Sequence, residues 1–120
     1  MNILNAAQLQ EAIDKSPSGV RVTPQMMERR IKSADYTVLP GTTTTICNLI
    51  LDNGFSVRGE SACIDPKNFN RDIGRTIAYN NAFNALWPYF GFLIAEMKFV
   101  AGVQRAELDF LEATGQSGGD

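Results

Sequence analysis

The sequence predicts an α+β fold, in which a small antiparallel sheet has helices before and after it. A β-branched stretch from Thr42 to Leu51 precedes Asn53-Gly54, and an alternating stretch from Phe55 to Ala62 follows it, which is typical of a β-hairpin. Helical spacing and cap residues occupy the flanking regions. We therefore expect a central hairpin over 42–62, N-terminal helices and two long C-terminal helices.

The N-terminal part of the chain carries two helix signals and one strand signal. Asn5 can cap a short helix from about Ala6 to Asp14. A Thr-Pro pair places a cap and a first-turn proline at the start of a second helix, predicted over 24–33. A first strand is predicted from Tyr36 to Leu39, where a Pro-Gly pair ends it.

The C-terminal half reads as two helices in succession. An Asp-Pro pair opens a helix predicted over 66–87, and Pro88 then either stops it or kinks it. A further helix is predicted over 89–111, and it is amphipathic and long for its domain. The polar residues 113–120 are expected to form a disordered tail, so that residues 1–112 form the single domain.

The turn at Asn53-Gly54 sets the expected register of the hairpin. A two-residue turn pairs Leu49 with Arg58, which places that arginine on the face of Leu49. Cys47 and Cys63 are then expected on opposite faces and unable to form a disulfide within one chain. Two cysteines and no histidine make a zinc site a poor fit, and we expect neither a metal nor a cofactor.

Composition and charge restrict the class of protein. The 120 residues are 44% hydrophobic and 20% charged, which is ordinary for one soluble globular domain. The formal charge of −2 provides no general attraction to DNA, RNA or an anionic membrane. The N-terminus does not resemble a signal peptide, and Pro88, Glu96 and Lys98 interrupt the most apolar stretch. The cytoplasm is the expected location.

Asparagine amides recur within the apolar face expected for the helix over 66–87. That face holds Ile73, Ile77, Trp87, Asn80 and Asn84, with Asn81 at its border. A buried amide must find hydrogen-bond partners. Either loop backbone supplies them, or these amides meet the edge of a base or ribose, since an amide both donates and accepts.

The arginines favour a ligand that carries phosphate, although each one taken alone also fits a solvated surface. Arg71 and Arg75 are four residues apart on a helix and repel unless an anion or a carboxylate lies near them. Guanidinium groups suit phosphate, and Phe69 suits stacking on a base. Arg58 on a strand and Arg105 on the last helix are further candidates.

Catalysis has little support in the sequence. The chain has no histidine, which is the commonest general base. Ser61 is not part of a Gly-x-Ser-x-Gly pattern, and neither Ser61 nor Cys63 has a visible base partner. The glycines fit neither dinucleotide nor P-loop spacing. We therefore expect a binding protein and not an enzyme.

Hydrophobic residues beyond the needs of one small domain indicate self-association. The long last helix and a strand face of Cys47, Leu49 and Leu51 are expected to present more apolar surface than a small monomer exposes.

One stretch of the chain carries a specific motif. It reads GFxVxGxSxCxDPxNF from Gly54 to Phe69, followed by Gly74, by Ala-Tyr-Asn-Asn-Ala over 78–82 and by Trp87-Pro88. Over roughly residues 22 to 98, the chain resembles a family of small phage proteins. That family is named after the gene forty-nine product of one coliphage and the gene sixty-six product of another. It is similar to the first described Thoeris anti-defence proteins, which are oligomeric sponges for cyclic ADP-ribose-type signals and, in some members, CBASS-type cyclic oligonucleotides.

The resemblance implies a function and a set of partners. The chain would be a phage anti-defence protein that sequesters a cyclic nucleotide signal in the host cytoplasm without degrading it. It would act as a homo-oligomer, either a dimer or a larger assembly such as a hexamer, without membrane, DNA or RNA. A protein–protein inhibitor of a host enzyme and a small hydrolase are the alternative functions.

The expected ligand site lies at the start of the long helix, completed by a second subunit. Phe69 stacks on a base there, and Asn81 reads the base or ribose edge. Asn81 is chosen over Asn80, a further candidate, because it matches the second Asn of the family's Ala-x-x-Asn-Ala pattern. Phosphate is held by an arginine. The arginine candidates are Arg58, Arg71 and Arg75, with Arg105 and Arg29 from a neighbouring chain.

Overall fold

The fold is a three-stranded antiparallel sheet with helices at both ends, which confirms the predicted α+β class. The structure is a computed structural model and describes residues 3–113. Its elements are α1 (Ala6–Asp14), α2 (Pro24–Glu28), β1 (Ile31–Val38), β2 (Thr44–Leu51), β3 (Ser56–Ala62), a 3-10 turn (Pro66–Asn68), α3 (Arg71–Asn84) and α4 (Trp87–Ala113). The strand order is β1-β2-β3. Residues 114–120 of the predicted tail lie outside the described residues.

Helix α1 has the bounds that its cap residue predicts. The Asn5 side chain accepts a hydrogen bond from the Gln8 N–H at 2.8 Å, and the Gln8 side chain accepts one from the Asn5 N–H at 3.0 Å. This reciprocal pair is a capping box, which satisfies two backbone donors that a helix start otherwise leaves free.

The second helix is shorter than predicted, and the first strand is longer. Helix α2 ends at Glu28, and β1 begins at Ile31, where a helix to residue 33 was expected. The backbone explains the difference. The Arg30 carbonyl accepts a hydrogen bond from the Asp52 N–H at 2.8 Å, and the Arg30 guanidinium lies 2.7 Å from the Asp52 carboxylate. This side-chain and backbone pairing fixes the start of β1 beside the end of β2 and overrides the local helix signal.

The hairpin turn has three residues instead of the predicted two. The Leu51 carbonyl accepts from the Gly54 N–H at 3.0 Å, and the Leu51 N–H donates to the Phe55 carbonyl at 2.8 Å. Gly54 has a φ of 88°, whereas no non-glycine residue of the described chain has a positive φ. The loop is therefore a turn over 51–54 with Gly54 in the left-handed region, because a type I′ turn needs positive φ at Asn53 as well.

The extra turn residue shifts the register of the hairpin by one position. Leu49 pairs with Val57, not with Arg58, and Cys47 pairs with Gly59. Because side chains alternate between the faces of a sheet, the face predicted for Arg58 is wrong. Arg58 instead lies on the face away from the helices. Both cysteines are free, as predicted, although the register on which that prediction rested is wrong.

Helix α3 packs on the sheet through its smallest side chains. Gly74, Ala78 and Ala82 are buried, whereas Ile73 and Ile77, which were expected to form the apolar face, are 59% and 45% exposed. Small residues occupy the face toward the sheet because they let the backbone of α3 approach β3 very closely. With this rotation of the helix, the side chains of Asn80, Asn81 and Asn84 are exposed and do not form the buried row that was predicted.

The core lies between α3 and one face of the sheet. Nine hydrophobic residues form it, namely Met27, Cys47, Leu49, Leu51, Val57, Ala78, Ala82, Leu86 and Phe90. The strand face that was expected to be available for self-association is therefore buried inside the subunit, and that part of the prediction is wrong.

Helix α4 leaves the domain instead of packing on it. Helix α3 ends at Asn84, and Pro88 lies in the first turn of α4, where a missing N–H costs little. Leu86 and Phe90 anchor this junction in the core, but Phe90 is the one buried residue among the 27 of α4. The described chain is 75 Å long, and its radius of gyration of 21.5 Å exceeds the roughly 14 Å of a compact domain of this length.

We expect Gly59→Ala to destabilise the fold strongly. A Cβ at this position would lie 2.1 Å from the Ala82 nitrogen and 2.4 Å from the Ala78 oxygen, so that the helix must move away from the strand. The expected loss of stability is about 3 kcal/mol or more, measured by urea unfolding. Gly91→Ala is the control, because no atom lies near its Cβ position and alanine favours a helix by about 1 kcal/mol. Equal stability of the two variants would contradict this packing.

Candidate functional site

A cleft opens where β3 ends and α3 begins, and we call it the α3 cleft. Its volume is about 220 Å³. The residues that line it are Thr43, Ser61, Ala62, Cys63, Asn68, Phe69, Asn70, Ile73, Gly74 and Ile77. The exposed isoleucines of α3 thus form a wall of this cleft, which is the place where the sequence predicts a ligand site.

Two local caps hold Phe69 at this cleft. The Asp65 side chain accepts from the Lys67 N–H at 3.0 Å, which starts the 3-10 turn, and Asn70 accepts from the N–H groups of Asp72 and Ile73 at 2.9 and 3.0 Å, which starts α3. Phe69 lies between these caps in an extended conformation and is 37% exposed. Its ring is therefore positioned by the backbone on either side and stays accessible.

The walls of the α3 cleft combine apolar and polar groups. Phe69, Ile73 and Ile77 supply flat and aliphatic surface, while Thr43 and Ser61 supply hydroxyls and Asn68 supplies an amide. The first N–H groups of α3 are already capped by Asn70, and Asp72 lies in the first helical turn. The cleft therefore suits an uncharged ring with polar edges better than it suits a bare anion.

The structure does not bring the predicted arginines together at the α3 cleft. Arg71 is the first residue of α3, next to the cleft residue Asn70, and its Nε lies 3.6 Å from the Asp72 carboxylate. Arg75 lies on the other flank of α3, where its guanidinium stands 5.1 Å from the centre of the Tyr36 ring. Both arginines follow a residue that lines the cleft, Asn70 and Gly74 respectively, but the guanidinium of Arg75 is directed to Tyr36.

The remaining arginine candidates lie elsewhere in the same chain. Arg58 donates to the Asn48 side chain at 3.4 Å and to the Ser56 hydroxyl at 3.3 Å on the helix-free face of the sheet. Arg29 follows the end of α2, and Arg105 lies far along α4 beside Asp109, at 3.9 Å. The prediction assigned Arg29 and Arg105 to a neighbouring chain, and it stays a prediction.

Asn81 has a structural partner. Its Nδ2 donates to the Glu60 carbonyl at 2.8 Å and so ties α3 to the outer strand. Of the two predicted alternatives for the asparagine amides, this contact fits the one in which a backbone group, and not a base or ribose, is the hydrogen-bond partner. Asn81 lies one helical turn after Ile77 and close to the end of the α3 cleft, whereas Asn80 is exposed on the outer side of the helix.

The groups with shifted pKa values lie in and around the core, away from the α3 cleft. Burial raises the pKa of the Cys47 thiol, and burial beside Cys47 raises the pKa of Tyr36. Burial, with a smaller contribution from Glu28, raises the pKa of Tyr79. These groups therefore stay neutral near pH 7. No cluster of His, Cys, Asp or Glu within residues 3–113 could hold a metal ion.

A second candidate site is the outer surface of α4, which we call the α4 apolar surface. It consists of Tyr89, Phe92, Leu93, Met97, Phe99, Val100, Val103, Leu108 and Phe110, which are 36–70% exposed. Lys98, Arg105, Asp109 and Glu112 lie on the opposite side of the helix, whereas Glu96 and Glu107 lie within the α4 apolar surface. The last helix was predicted to be amphipathic, but the row of Phe92, Phe99 and Phe110 was not predicted, although seven- and eleven-residue spacings place these rings on one side.

The α4 apolar surface is continuous with a cleft against the hairpin loop, which we call the hairpin cleft. It has a volume of about 220 Å³ and is lined by Arg30, Leu51, Asn53, Phe55, Tyr89, Phe90, Phe92, Leu93 and Glu96. The Phe55 and Tyr89 rings meet edge to face at 4.9 Å between centres and build one wall.

Length and composition alone would allow one helical stretch of the described chain, Arg71–Ala113, to cross a membrane. Glu96 and Lys98 lie within its apolar part. By length and composition, a lipid bilayer is therefore a second environment that could cover the α4 apolar surface, besides a protein partner.

Fold and site together define a small α+β protein with a polar-edged cleft at the start of α3 and a large apolar surface on α4. Residues 22–97, more than half of the chain, match the family described as Phage protein (N4 Gp49/phage Sf6 gene 66), and the chain belongs to this family. No curated protein and no solved structure matches it. The match includes α2, the sheet, α3 and the first part of α4, and it excludes α1.

The two cysteines should differ sharply in reactivity. Cys63 lines the α3 cleft and is partly exposed, whereas Cys47 is 0% exposed and its raised pKa disfavours the reactive thiolate. A thiol reagent at pH 8 should therefore modify one thiol quickly and the second one only on unfolding, with Cys63→Ser removing the fast phase. Two equally fast thiols in the folded protein would contradict this placement of β2.

Proposed function

We propose that this phage protein captures a cyclic nucleotide signal of host defence in its α3 cleft and holds it chemically unchanged. The observation that carries the proposal is Phe69, an accessible ring fixed by two caps at the mouth of a cleft with apolar walls and polar edges. Membership of a phage protein family is consistent with an anti-defence role.

The chemistry of the α3 cleft suits a nucleobase. Stacking of a base on an aromatic side chain contributes about 1–3 kcal/mol in single-strand binders. The Asn68 amide can donate and accept along the base edge, and the Thr43 and Ser61 hydroxyls can do the same. The ribose or phosphate would extend toward Arg71, whose exposed ion pair with Asp72 is weak enough to rearrange.

The size of the α3 cleft indicates that one chain makes an incomplete site. Its volume of about 220 Å³ is below the roughly 300–1,000 Å³ of pockets that enclose a small ligand. A base fits, but a whole cyclic nucleotide extends beyond the cleft. We propose that a second copy covers the rest, with Arg29 and Arg105 as the candidate phosphate ligands from that copy.

The α4 apolar surface supports self-assembly. Phe92, Phe99, Phe110 and Tyr89 are 52–70% exposed, so that these rings alone present about 500 Å² at 150–250 Å² per aromatic side chain. With the aliphatic residues between them, this approaches the roughly 800 Å² per partner of a standard interface. Since nine buried hydrophobic side chains form the core of the described residues, with partly buried ones around them, this core is small, and we propose that α4 adds an intersubunit core in a homo-oligomer.

We propose binding without turnover because no general base accompanies the possible nucleophiles. Histidine is absent from the sequence, and the Cys63 thiol donates to the Asp65 carbonyl at 3.0 Å instead of meeting a base. A second candidate function is inhibition of a host protein. The α4 apolar surface favours it, because the same rings could bind a foreign partner in place of another copy.

Ligand binding should depend on Phe69 and Arg71. Isothermal titration with cyclic ADP-ribose isomers and cyclic di- and trinucleotides should identify a ligand that heating releases intact. Phe69→Ala and Arg71→Ala should each weaken its binding about ten- to a hundredfold, whereas Lys32→Ala on the exposed part of β1 should not. The bound ligand should also slow modification of Cys63.

Three outcomes would contradict parts of this proposal. A chemically altered ligand indicates an enzyme. If none of these nucleotides binds, inhibition of a host protein is the remaining function. Full affinity in both variants, with an unprotected Cys63, places the nucleotide outside the α3 cleft.

Self-assembly should depend on the α4 apolar surface. Light scattering at micromolar concentration should give more than one chain per particle for the wild type and a smaller particle for Phe99→Asp with Val103→Asp. Lys98→Glu, on the charged side of the same helix, should keep the wild-type mass. A monomeric wild type contradicts the proposal. If the wild type co-sediments with phosphatidylcholine vesicles and the double variant does not, the α4 apolar surface binds lipid instead.

A further inference from the structure

Within residues 3–113, helix α1 stands apart from the other helices and strands, and Arg21 of the following segment donates to its Ile13 carbonyl at 3.2 Å. It spans nine residues, none of which is buried, and it forms no extended contact with the sheet, α3 or α4. Leu9 and Leu4 are 51% and 48% exposed, and Ile3 before them is 84% exposed. The residues between α1 and α2 form neither helix nor strand, so that α1 lies at the end of an arm.

A helix of this length needs a tertiary contact. Isolated helices shorter than about 12–15 residues are marginal in water, and the capping box of Asn5 and Gln8 adds on the order of 1 kcal/mol. Ala6, Leu9 and Ile13 fall on one side of α1, with Gln8 and Glu11 on another. Ile13 is partly buried in its own chain, whereas Leu9 is 51% exposed, so that another group must still cover this apolar side.

The hairpin cleft has the size and chemistry to cover it. A cavity of about 150 Å³ lined by Leu, Ile and Phe accepts a benzene-sized group, so that about 220 Å³ accommodates two aliphatic side chains. Leu51, Phe55, Phe92 and Leu93 supply apolar walls, and Glu96 lies on the rim. Lys15 at the end of α1 can supply a cation to Glu96, because its exposed ion pair with Glu11, at 2.7 Å, is weak enough to rearrange. Arg30 is held more firmly, since both its guanidinium and its carbonyl bond to Asp52.

We propose that α1 of one chain docks in the hairpin cleft of a second copy, with Leu9 and Ile13 filling it. No residue of α1 lines this cleft in its own chain, which favours docking between copies. A two-fold pair would then exchange two arms and gain the same contact twice. This inference rests on the proposed self-assembly, and it adds the contact that holds the N-terminal arm, which lies outside the matched residues 22–97.

Disulfide trapping tests the contact directly. Leu9→Cys in one chain and Leu93→Cys in a second chain that carries a size tag are mixed, both with Cys63→Ser, and oxidised. The expected product is a crosslinked pair of one tagged and one untagged chain. Ala7→Cys, on the other side of α1, is the matched control and should give at least fivefold less product. Equal yields at both positions, or crosslinks confined to single chains that carry Leu9→Cys and Leu93→Cys together, overturn the proposal.

The contribution of the arm to assembly gives an independent measurement. Leu9→Glu with Ile13→Glu should raise the dissociation constant of the oligomer at least tenfold in sedimentation equilibrium, whereas Gln8→Glu should leave it within twofold. A wild-type monomer overturns the proposed assembly and this inference together. A wild-type oligomer whose dissociation constant is the same in both variants overturns the arm contact alone.

Discussion

The close approach of α3 to β3 is the constraint on which the rest of the molecule depends. Gly59 has no side chain, and the backbone around Ala78 and Ala82 occupies the space that a Cβ would need. This contact sets the rotation of the helix and therefore decides that small residues face the sheet. Ile73 and Ile77 are left at the margin, where they become the wall of the α3 cleft instead of part of the core.

Local signals predicted the fold class and the position of Phe69, whereas non-local ones decided which residues share a surface. Asn5, Thr23 and Asp65 cap their helices through bonds within a few residues, and sequence shows such bonds directly. The register of the hairpin depends on whether its turn has two residues or three. That difference moved Arg58 to the opposite face, because strand faces alternate with every residue.

The candidate site could be predicted only in part, because local signals define some of its residues and non-local packing defines the others. The position of Phe69 could be predicted because a helix cap lies on either side of it. Arg71 and Arg75 lie on different sides of α3 because of the rotation of that helix against the sheet, and helix propensity and periodicity do not predict this rotation. Periodicity indicated that isoleucines define the buried face, as larger side chains usually do. Here the need for a short distance between backbones outweighed the gain from burying larger side chains.

The junction at Leu86 and Phe90 acts as the base of a lever. Helix α4 has 27 residues, and at 1.5 Å per residue it is a rod of about 40 Å. A change of about 10° in the angle at its base moves the far tip by about 7 Å for a rod of that length, more than the width of a side chain. The fit of two buried side chains near one end therefore controls where Phe110, at the other end, can find a neighbour.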